Sequence, residues 1–319
     1  MDILADIGAT NARFGVQAGP GKVDRSHIFK CEDYETFQDA YRAYLIHAGI
    51  AQSEVKRAAL AIAGPVTSDH IRMTNHPWLF SRKAVQKELK LERFVVINDF
   101  TAVALSLTEL KEEDTVLIGE RGRPNPDFPI AVLGPGTGLG VSALVPDGRG
   151  GHVPLPGEGG HVTMPAYTDR EAEILHVMRE WFGHVSAERI LCGTGLVNLY
   201  RAIATIDHKE LRQLKPENIT KAALDGSDDV AVETLMVFCA MLGTVAGNLA
   251  LTTWSRAGVY IAGGIVPQIL PFFKRSPFRD RFRAKGRFEN HMSAIPTHVI
   301  THPLVAFLGL EASLKCDRY

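Results

Sequence analysis

Apolar residues along this chain fall into short unbroken runs that alternate with stretches of helical spacing. Phe94-Val95-Val96-Ile97 is such a run and reads as a strand buried on both faces. Asn98 and Asp99 stand where it ends, and Thr101 to Leu107 reads as a helix. Ligands of open α/β sheets gather at the carboxyl ends of strands, which makes Asp99 a candidate for chemistry. The same position also suits a helix cap.

Upstream, residues 2–17 set apolar positions on either side of a small polar tip, Asp6 to Asn11, as a β-hairpin does. The tip's N–H groups and the Thr10 hydroxyl could cradle phosphate, with Gly8 allowing close approach. An ordinary hairpin would carry the same pattern. Strands are expected at Ile28–Cys31, Arg57–Ala63 and Asp69–Thr74, and helices at Tyr34–His47 and Ser81–Leu89, the latter capped by Ser81. The first region thus reads β-β-β-α-β-β-α-β-α.

A charged, turn-rich stretch from Glu109 to Asp127 marks a domain boundary. The second region opens like the first. Pro129–Leu133 is a strand, Gly134–Gly140 a tip, and Val141–Val145 a return strand. This is an internal pseudo-repeat of structure with little sequence likeness. Glycines 134, 136, 138 and 140 with Thr137 form a candidate phosphate loop, neither a P-loop nor a dinucleotide fingerprint. A glycine-rich hairpin turn is the alternative. Glu158 and His161 stand three apart in Leu155–Val162. The two glycines between them argue against a helix. A rigid loop offering a carboxylate and an imidazole to a polar ligand is expected, against a plain surface turn.

Helices follow at Glu171–Phe182 and Ala187–Leu191, the second capped by Ser186, with Glu188 as a partner of the helix dipole. Gly193-Thr194-Gly195 reads as an interruption before helices at Leu196–Ala204, Thr220–Leu224 and Val230–Thr253. A strand from Gly258 ends in Gly263-Gly264, where a flat ligand could lie on the backbone. The basic stretch between Phe278 and Phe288 reads as a solvated face, Pro296–Thr301 as a last strand and Val305–Leu314 as a terminal helix.

Composition narrows the class. The 319 residues are 45% hydrophobic and 22% charged with net charge -1, which fits a globular protein of one large domain or two. No basic excess points to nucleic acid or a membrane surface, and the N-terminus lacks a signal-peptide pattern. Cys31, Cys192, Cys239 and Cys316 form no CxxC pair, so neither zinc nor a redox couple is expected, and a cytoplasmic location fits. The segment between Glu233 and Arg256 is uncharged and long enough to span a bilayer. It contains Asn248, Thr244, Thr252 and Thr253, and Gly243 and Gly247 would let another backbone approach. A buried core helix is the expectation.

Three glycine turns, an acid at a strand end and two α/β halves resemble the hexokinase-type, actin-like ATPase (ribonuclease H-like) fold. The likeness goes further. Asp6-Ile7-Gly8-Ala9-Thr10-Asn11-Ala12-Arg13, Met73-Thr74-Asn75-His76-Pro77-Trp78, Ile97-Asn98-Asp99-Phe100-Thr101-Ala102-Val103, Gly136–Gly140, Leu155–His161, His184–Arg189 and Ile261–Pro267 are similar to the bacterial ATP-dependent glucokinases. That resemblance implies two α/β domains with a ligand cleft between them. Residues 1–109 with about 300–319 would form the small domain and 110–299 the large one.

It also implies roles. Asp99 would be the catalytic base taking the proton of the glucose 6-hydroxyl, and Asn98, Asp99, Glu158, His161 and Glu188 would bind the sugar. Asp6, Ile7, Gly8, Ala9, Thr10, Asn11, Gly136, Thr137, Gly138, Gly263 and Gly264 would bind ATP, with Mg²⁺ carried by the nucleotide and not by a protein metal site. A homodimer is expected. Two departures stand out. Ala9 replaces a second glycine, which costs about 1 kcal/mol if that position needs positive φ. The cysteine-rich zinc motif that follows a similar Glu-Gly-Gly-His in a related kinase and repressor family is absent, so His161 is expected to bind sugar. Alternatives are a kinase for mannose or fructose, a sugar sensor without turnover, or a filament-forming ATPase. Sensors of this kind usually carry a DNA-binding segment ahead of the first phosphate loop, where this sequence has five residues before Asp6.

Overall fold

The computed structural model describes residues 1–73 and 76–316. It divides into two compact units, Met1–Lys111 with His302–Tyr319, and Glu112–Thr301. Thr74 and Asn75, the end of one expected strand and part of one motif, lie outside the described residues, as do residues 317–319 of the expected C-terminal return.

In the first unit β1 (Asp2–Ile7), β2 (Asn11–Gly19) and β3 (Lys22–Lys30) form a meander, followed by α1 (Phe37–Ala48) and β4 (Arg57–Ile62). Then come the small ribbon β5 (His70–Arg72) and β6 (Leu79–Ser81), α2 (Arg82–Glu88), β7 (Arg93–Asn98) and α3 (Asp99–Ser106). The sheet order is β3-β2-β1-β4-β7. β1 is antiparallel to β2 and parallel to β4, which is parallel to β7. Side chains alternate across a pleated sheet. Ile3, Ala5, Ile7, Leu60, Phe94 and Val96 therefore face one core, shared with Phe37, Tyr41 and Tyr44 of α1. Ser81 caps α2 by accepting the Ala84 N–H, as its sequence position predicts. β6, absent from the sequence reading, pairs with β5 through Ile71 and Phe80.

The second unit contains β8 (Thr115–Ile118), β9 (Ile130–Pro135), β10 (Leu139–Pro146) and β11 (His152–Gly157). The helices α4 (Asp169–Phe182), α5 (Gly193–Ile206), α6 (Pro216–Asp225) and α7 (Asp229–Thr253) follow. β12 (Gly258–Ile261), the short helices α8 (Ile265–Gln268), α9 (Leu270–Phe273), α10 (Phe278–Arg283) and α11 (Glu289–Ser293), and β13 (Thr297–Ile300) complete it. The sheet order is β11-β10-β9-β12-β13-β8, so five of its strands repeat the connectivity of the first sheet. β8 is the added edge strand and lies within the stretch read as boundary loop. The chain ends with α12 (Val305–Lys315), which belongs to the first unit and packs on α3, β1 and β4. Gly309 is required there, because a Cβ would collide with the Ala102 carbonyl of α3.

α7 is long and apolar enough to cross a membrane by composition, and it is mostly buried in its unit. A Cβ at Gly247 would lie 2.5 Å from the Phe282 oxygen, so the glycine spacing serves helix contact. α10 corrects the expectation of a solvated basic face. Phe278, Arg281 and Phe282 are buried against α7. Arg281 donates through Nη1 to Glu171 Oε1 at 2.6 Å, and through Nη2 to Glu171 Oε2 at 3.1 Å and Thr244 Oγ1 at 2.7 Å. Charge runs face water unless paired, and the partner of this one lies 110 residues away in sequence, beyond the reach of a local pattern.

Candidate active site

In the first unit, Ile7, Ile62 and Asn98 form one row across β1, β4 and β7. The carboxyl ends of three parallel strands therefore share an edge, within about 10 Å for two strand spacings. At the end of β7, Asn98 Oδ1 accepts the Thr101 N–H at 3.0 Å. Asn98, not Asp99, is thus the helix cap. Its amide donates to the Gly64 carbonyl at 3.2 Å and to Asp99 Oδ1 at 2.8 Å. Asp99 Oδ1 also accepts the Phe100 N–H at 2.9 Å. Two donors on one oxygen fix the plane of this carboxylate at the head of α3.

The hairpin tip closes with the Gly8 N–H on the Asn11 carbonyl at 2.9 Å, and the Cys31 N–H holds the Thr10 carbonyl at 2.8 Å. The N–H groups of Ala9 and Thr10 have no acceptor among the described residues. Gly8 has no positive φ, and a Cβ there would meet only the Asn11 oxygen, at 3.6 Å. The fold itself therefore does not demand glycine at Gly8, and the space beside it is open. Ala9 also lacks positive φ, so the strain contemplated for it does not arise. Ile7 is buried in the core, which leaves only its main chain to face a ligand. Asp6 stands opposite Arg13 in the β1–β2 register. Burial pushes its carboxyl above the ordinary aspartate value, and Arg13 partly offsets this.

In the second unit, Gly157, Val141, Leu133 and Ile261 form a row across β11, β10, β9 and β12. Its length is about 14 Å, three strand spacings. The tip, narrower than the sequence implied, is Gly136–Gly138, since Gly134 and Pro135 belong to β9 and Leu139 to β10. The Gly136 N–H closes on the Gly138 carbonyl at 2.8 Å, and the Thr137 and Gly138 N–H groups have no acceptor among the described residues. Gly263 packs beside this hairpin, where positive φ and contact with the Pro135 carbonyl both require glycine. A Cβ at Gly264 or Gly136 would meet nothing within 4 Å.

Glu158 and His161 follow β11, where Gly159–His161 makes one 3₁₀ turn in place of an irregular loop. Their side chains are exposed, with Glu158 Oε2 and His161 Nε2 3.9 Å apart. Gly160 fits because a Cβ would strike the Leu139 carbonyl. The segment after it pairs with residues 184–188. The Met164 N–H donates to Val185, Ala187 to Val162 and Glu188 to Gly160, at 3.0, 2.9 and 2.8 Å. At the far end Thr163 Oγ1 lies 3.0 Å from His184 Nε2.

Glu188 is not in a helix, as the sequence reading had it. The turns after Ser186 lead into α5, which begins at Gly193 with Cys192 as cap. The Gly193 N–H holds the Gly136 carbonyl at 2.9 Å. That support of the tip was missed because glycines read as an interruption and cysteine is a weak cap signal. Glu188 instead turns its carboxylate toward the tip, accepting the Leu139 N–H on Oε2 at 2.8 Å. The second unit thus brings Gly136–Gly138, Gly263–Gly264, Glu158, His161 and Glu188 to one edge. The first does the same for Asp6–Asn11, Asn98 and Asp99.

Paired α/β units of one topology, each with a glycine-tipped hairpin whose N–H groups lack an acceptor among the described residues and with carboxylates at strand ends, are the architecture of the actin-like ATPase class. The family model described as Glucokinase matches residues 3–316. A glucokinase from Paramagnetospirillum magneticum is 50% identical over 318 residues, 99% of this chain and 98% of the relative. One from Neisseria meningitidis is 45% identical over 312 residues, 98% and 94% of the two chains. The solved glucokinase of an Antarctic psychrotroph is 33% identical with a TM-score of 0.87, covering 98% of both chains. The chain belongs to the glucokinase family and is an enzyme that phosphorylates glucose with ATP.

Proposed function

We propose that Asp99 is the general base, accepting the proton of the glucose 6-hydroxyl as that oxygen attacks the γ-phosphate of ATP. The observation that carries this is the carboxylate's fixed plane at the carboxyl end of β7, set by Asn98 and the Phe100 N–H. A neutral hydroxyl is a weak nucleophile, and a positioned carboxylate both aims it and removes its proton. Asn98 acts chiefly as the holder of Asp99, with a remaining carbonyl lone pair for a sugar hydroxyl. Glu158, His161 and Glu188 bind the ring, and sites built on such hydrogen bonds reject sugars that lack the matching hydroxyls.

The free N–H groups at Ala9, Thr10, Thr137 and Gly138 would carry the charge of the phosphates, with Asn11 flanking the first tip and Gly263–Gly264 lying along the adenosine side. Mg²⁺ fits as an ion that arrives on ATP. Among the described residues no three side chains could hold a metal by themselves, and Asp6 offers one buried carboxylate that a cation would compensate. When bound, the ion neutralises phosphate charge. The two compact units are taken as the two domains. A homodimer in the cytoplasm, where the free cysteines stay reduced, completes the reading.

The test is a coupled ADP-release assay with glucose, mannose and fructose on the wild type and on Asp99→Ala. The variant is expected to keep its fold and to lose about a thousandfold in kcat. Near-normal turnover would remove Asp99 from its role. Faster turnover of mannose or fructose than of glucose would favour the other hexoses.

A further inference from the structure

Glu188 is bound on two sides. Its backbone N–H donates to the Gly160 carbonyl within the Glu158–His161 segment. Its carboxylate reaches the other way, where Oε2 accepts the Leu139 N–H at 2.8 Å, at the end of the glycine tip. A Cβ on Gly138 would sit 2.5 Å from that oxygen and 3.9 Å from Oε1, so a side chain there would push the carboxylate aside. Gly138 is not at positive φ, so the effect of a side chain there falls on the carboxylate and not on backbone conformation. Glu188 is only partly buried, which leaves the carboxylate open to solvent or ligand.

We infer that Glu188 is a shared element, one oxygen bracing the phosphate-binding tip and the other receiving a sugar hydroxyl, so that glucose and nucleotide bind cooperatively through it. The inference rests on the reading of Glu188 as a sugar ligand. An ionised acceptor makes a strong bond to a backbone N–H. Held by Oε2 alone, the carboxylate can still pivot about that bond. A sugar hydroxyl donating to Oε1 removes the pivot and fixes Leu139 and the Thr137 and Gly138 N–H groups in one arrangement. The nucleotide then no longer has to order them, and linkage makes the gain reciprocal.

The experiment is calorimetric titration of the full-length enzyme with glucose and with a non-hydrolysable ATP analogue, each alone and in the presence of the other. In the wild type glucose should tighten the analogue about fivefold. Glu188→Ala should weaken the analogue even without sugar, weaken glucose, and bring the coupling ratio close to one. Glu188→Gln keeps a carbonyl acceptor for Leu139 and should lose mainly glucose affinity. Gly138→Ala retains the carboxylate but displaces it, and should weaken glucose about tenfold with no nucleotide present. A purely local role of the tip in holding phosphate would leave that glucose affinity unchanged. If Glu188→Ala weakens glucose while sugar-free analogue affinity and coupling stay at wild-type values, the brace is refuted and the sugar ligand stands. If glucose affinity is untouched in Glu188→Ala, the sugar reading of Glu188 itself fails.

Discussion

The two hairpin tips use one device and support it differently. In each, the first glycine closes the turn with its own N–H, and the next two N–H groups have no acceptor among the described residues. The Gly8 tip is held by neutral main-chain bonds, chiefly from Cys31 to Thr10. The Gly136 tip is held by a helix start at Gly193 and by the charge of Glu188. Behind Glu188, the paired segment leads to Tyr167, whose N–H bonds Glu171 Oε2 at 2.7 Å and whose ring lies 4.1 Å from the Arg281 guanidinium. One tip therefore rests on main-chain bonds, the other on a main-chain bond and one carboxylate, with a buried ion pair further along the same segment. Backbone support tolerates side-chain replacement, whereas ionic support exposes the tip to any change that moves or neutralises an acid.

The contrast can be broken or sharpened by substitution. The largest effect is expected from Arg281→Met, which leaves Glu171 buried without its cation. Stability should fall by about 3–5 kcal/mol, read as an earlier denaturant midpoint. A loss below 1 kcal/mol would mean that the buried ion pair does not carry the second unit. Next come Gly8→Ala and Gly136→Ala. Both side chains would enter space the fold leaves open, so melting temperature should hold while nucleotide affinity falls about tenfold at each, or 1.4 kcal/mol. Unequal losses measured by titration would show that the tips do not share phosphate evenly. The smallest effect belongs to Ala9→Gly. Without positive φ to relieve, glycine should change nucleotide affinity less than about twofold and lower stability by under 1 kcal/mol. A large gain in affinity would overturn the description of the first tip.

The hairpins and the buried runs were legible because their signals are local. Apolar positions flanking a glycine tip say hairpin wherever they occur, and Phe94–Ile97 could hardly be anything but interior. Assignments failed where the deciding partner is far away in sequence. β8 is short and half-buried and exists because β13 pairs with it. Arg281 looked solvated because Glu171 is remote. Asp99 looked like the cap because nothing in sequence shows that Asn98, one residue earlier, accepts the Thr101 N–H. Residues 187–191 had the composition of a helix, yet Ala187 and Glu188 pair with Val162 and Gly160, and the next three residues form only turns. The roles given to Asp99, Glu158 and His161 came from family resemblance and not from pattern, since spacing alone left each of them open.

The C-terminal helix has a consequence for how the protein is made. Leu4, Ala59, Ala61, Val95 and Ile97 lie buried on the sheet face opposite the α1 core, the side on which α3 and α12 pack. α12 begins at Val305, whereas the rest of its unit ends at Lys111. A ribosome adding about 5–20 residues per second needs on the order of 10–40 s to bridge that interval. During this time the unit that starts first stays unfinished, and the unit inserted between its two pieces is the one that can fold to completion. For a nascent chain the order of assembly is inside-out, and the first-made sheet must wait, partly bare, for the last helix to leave the exit tunnel.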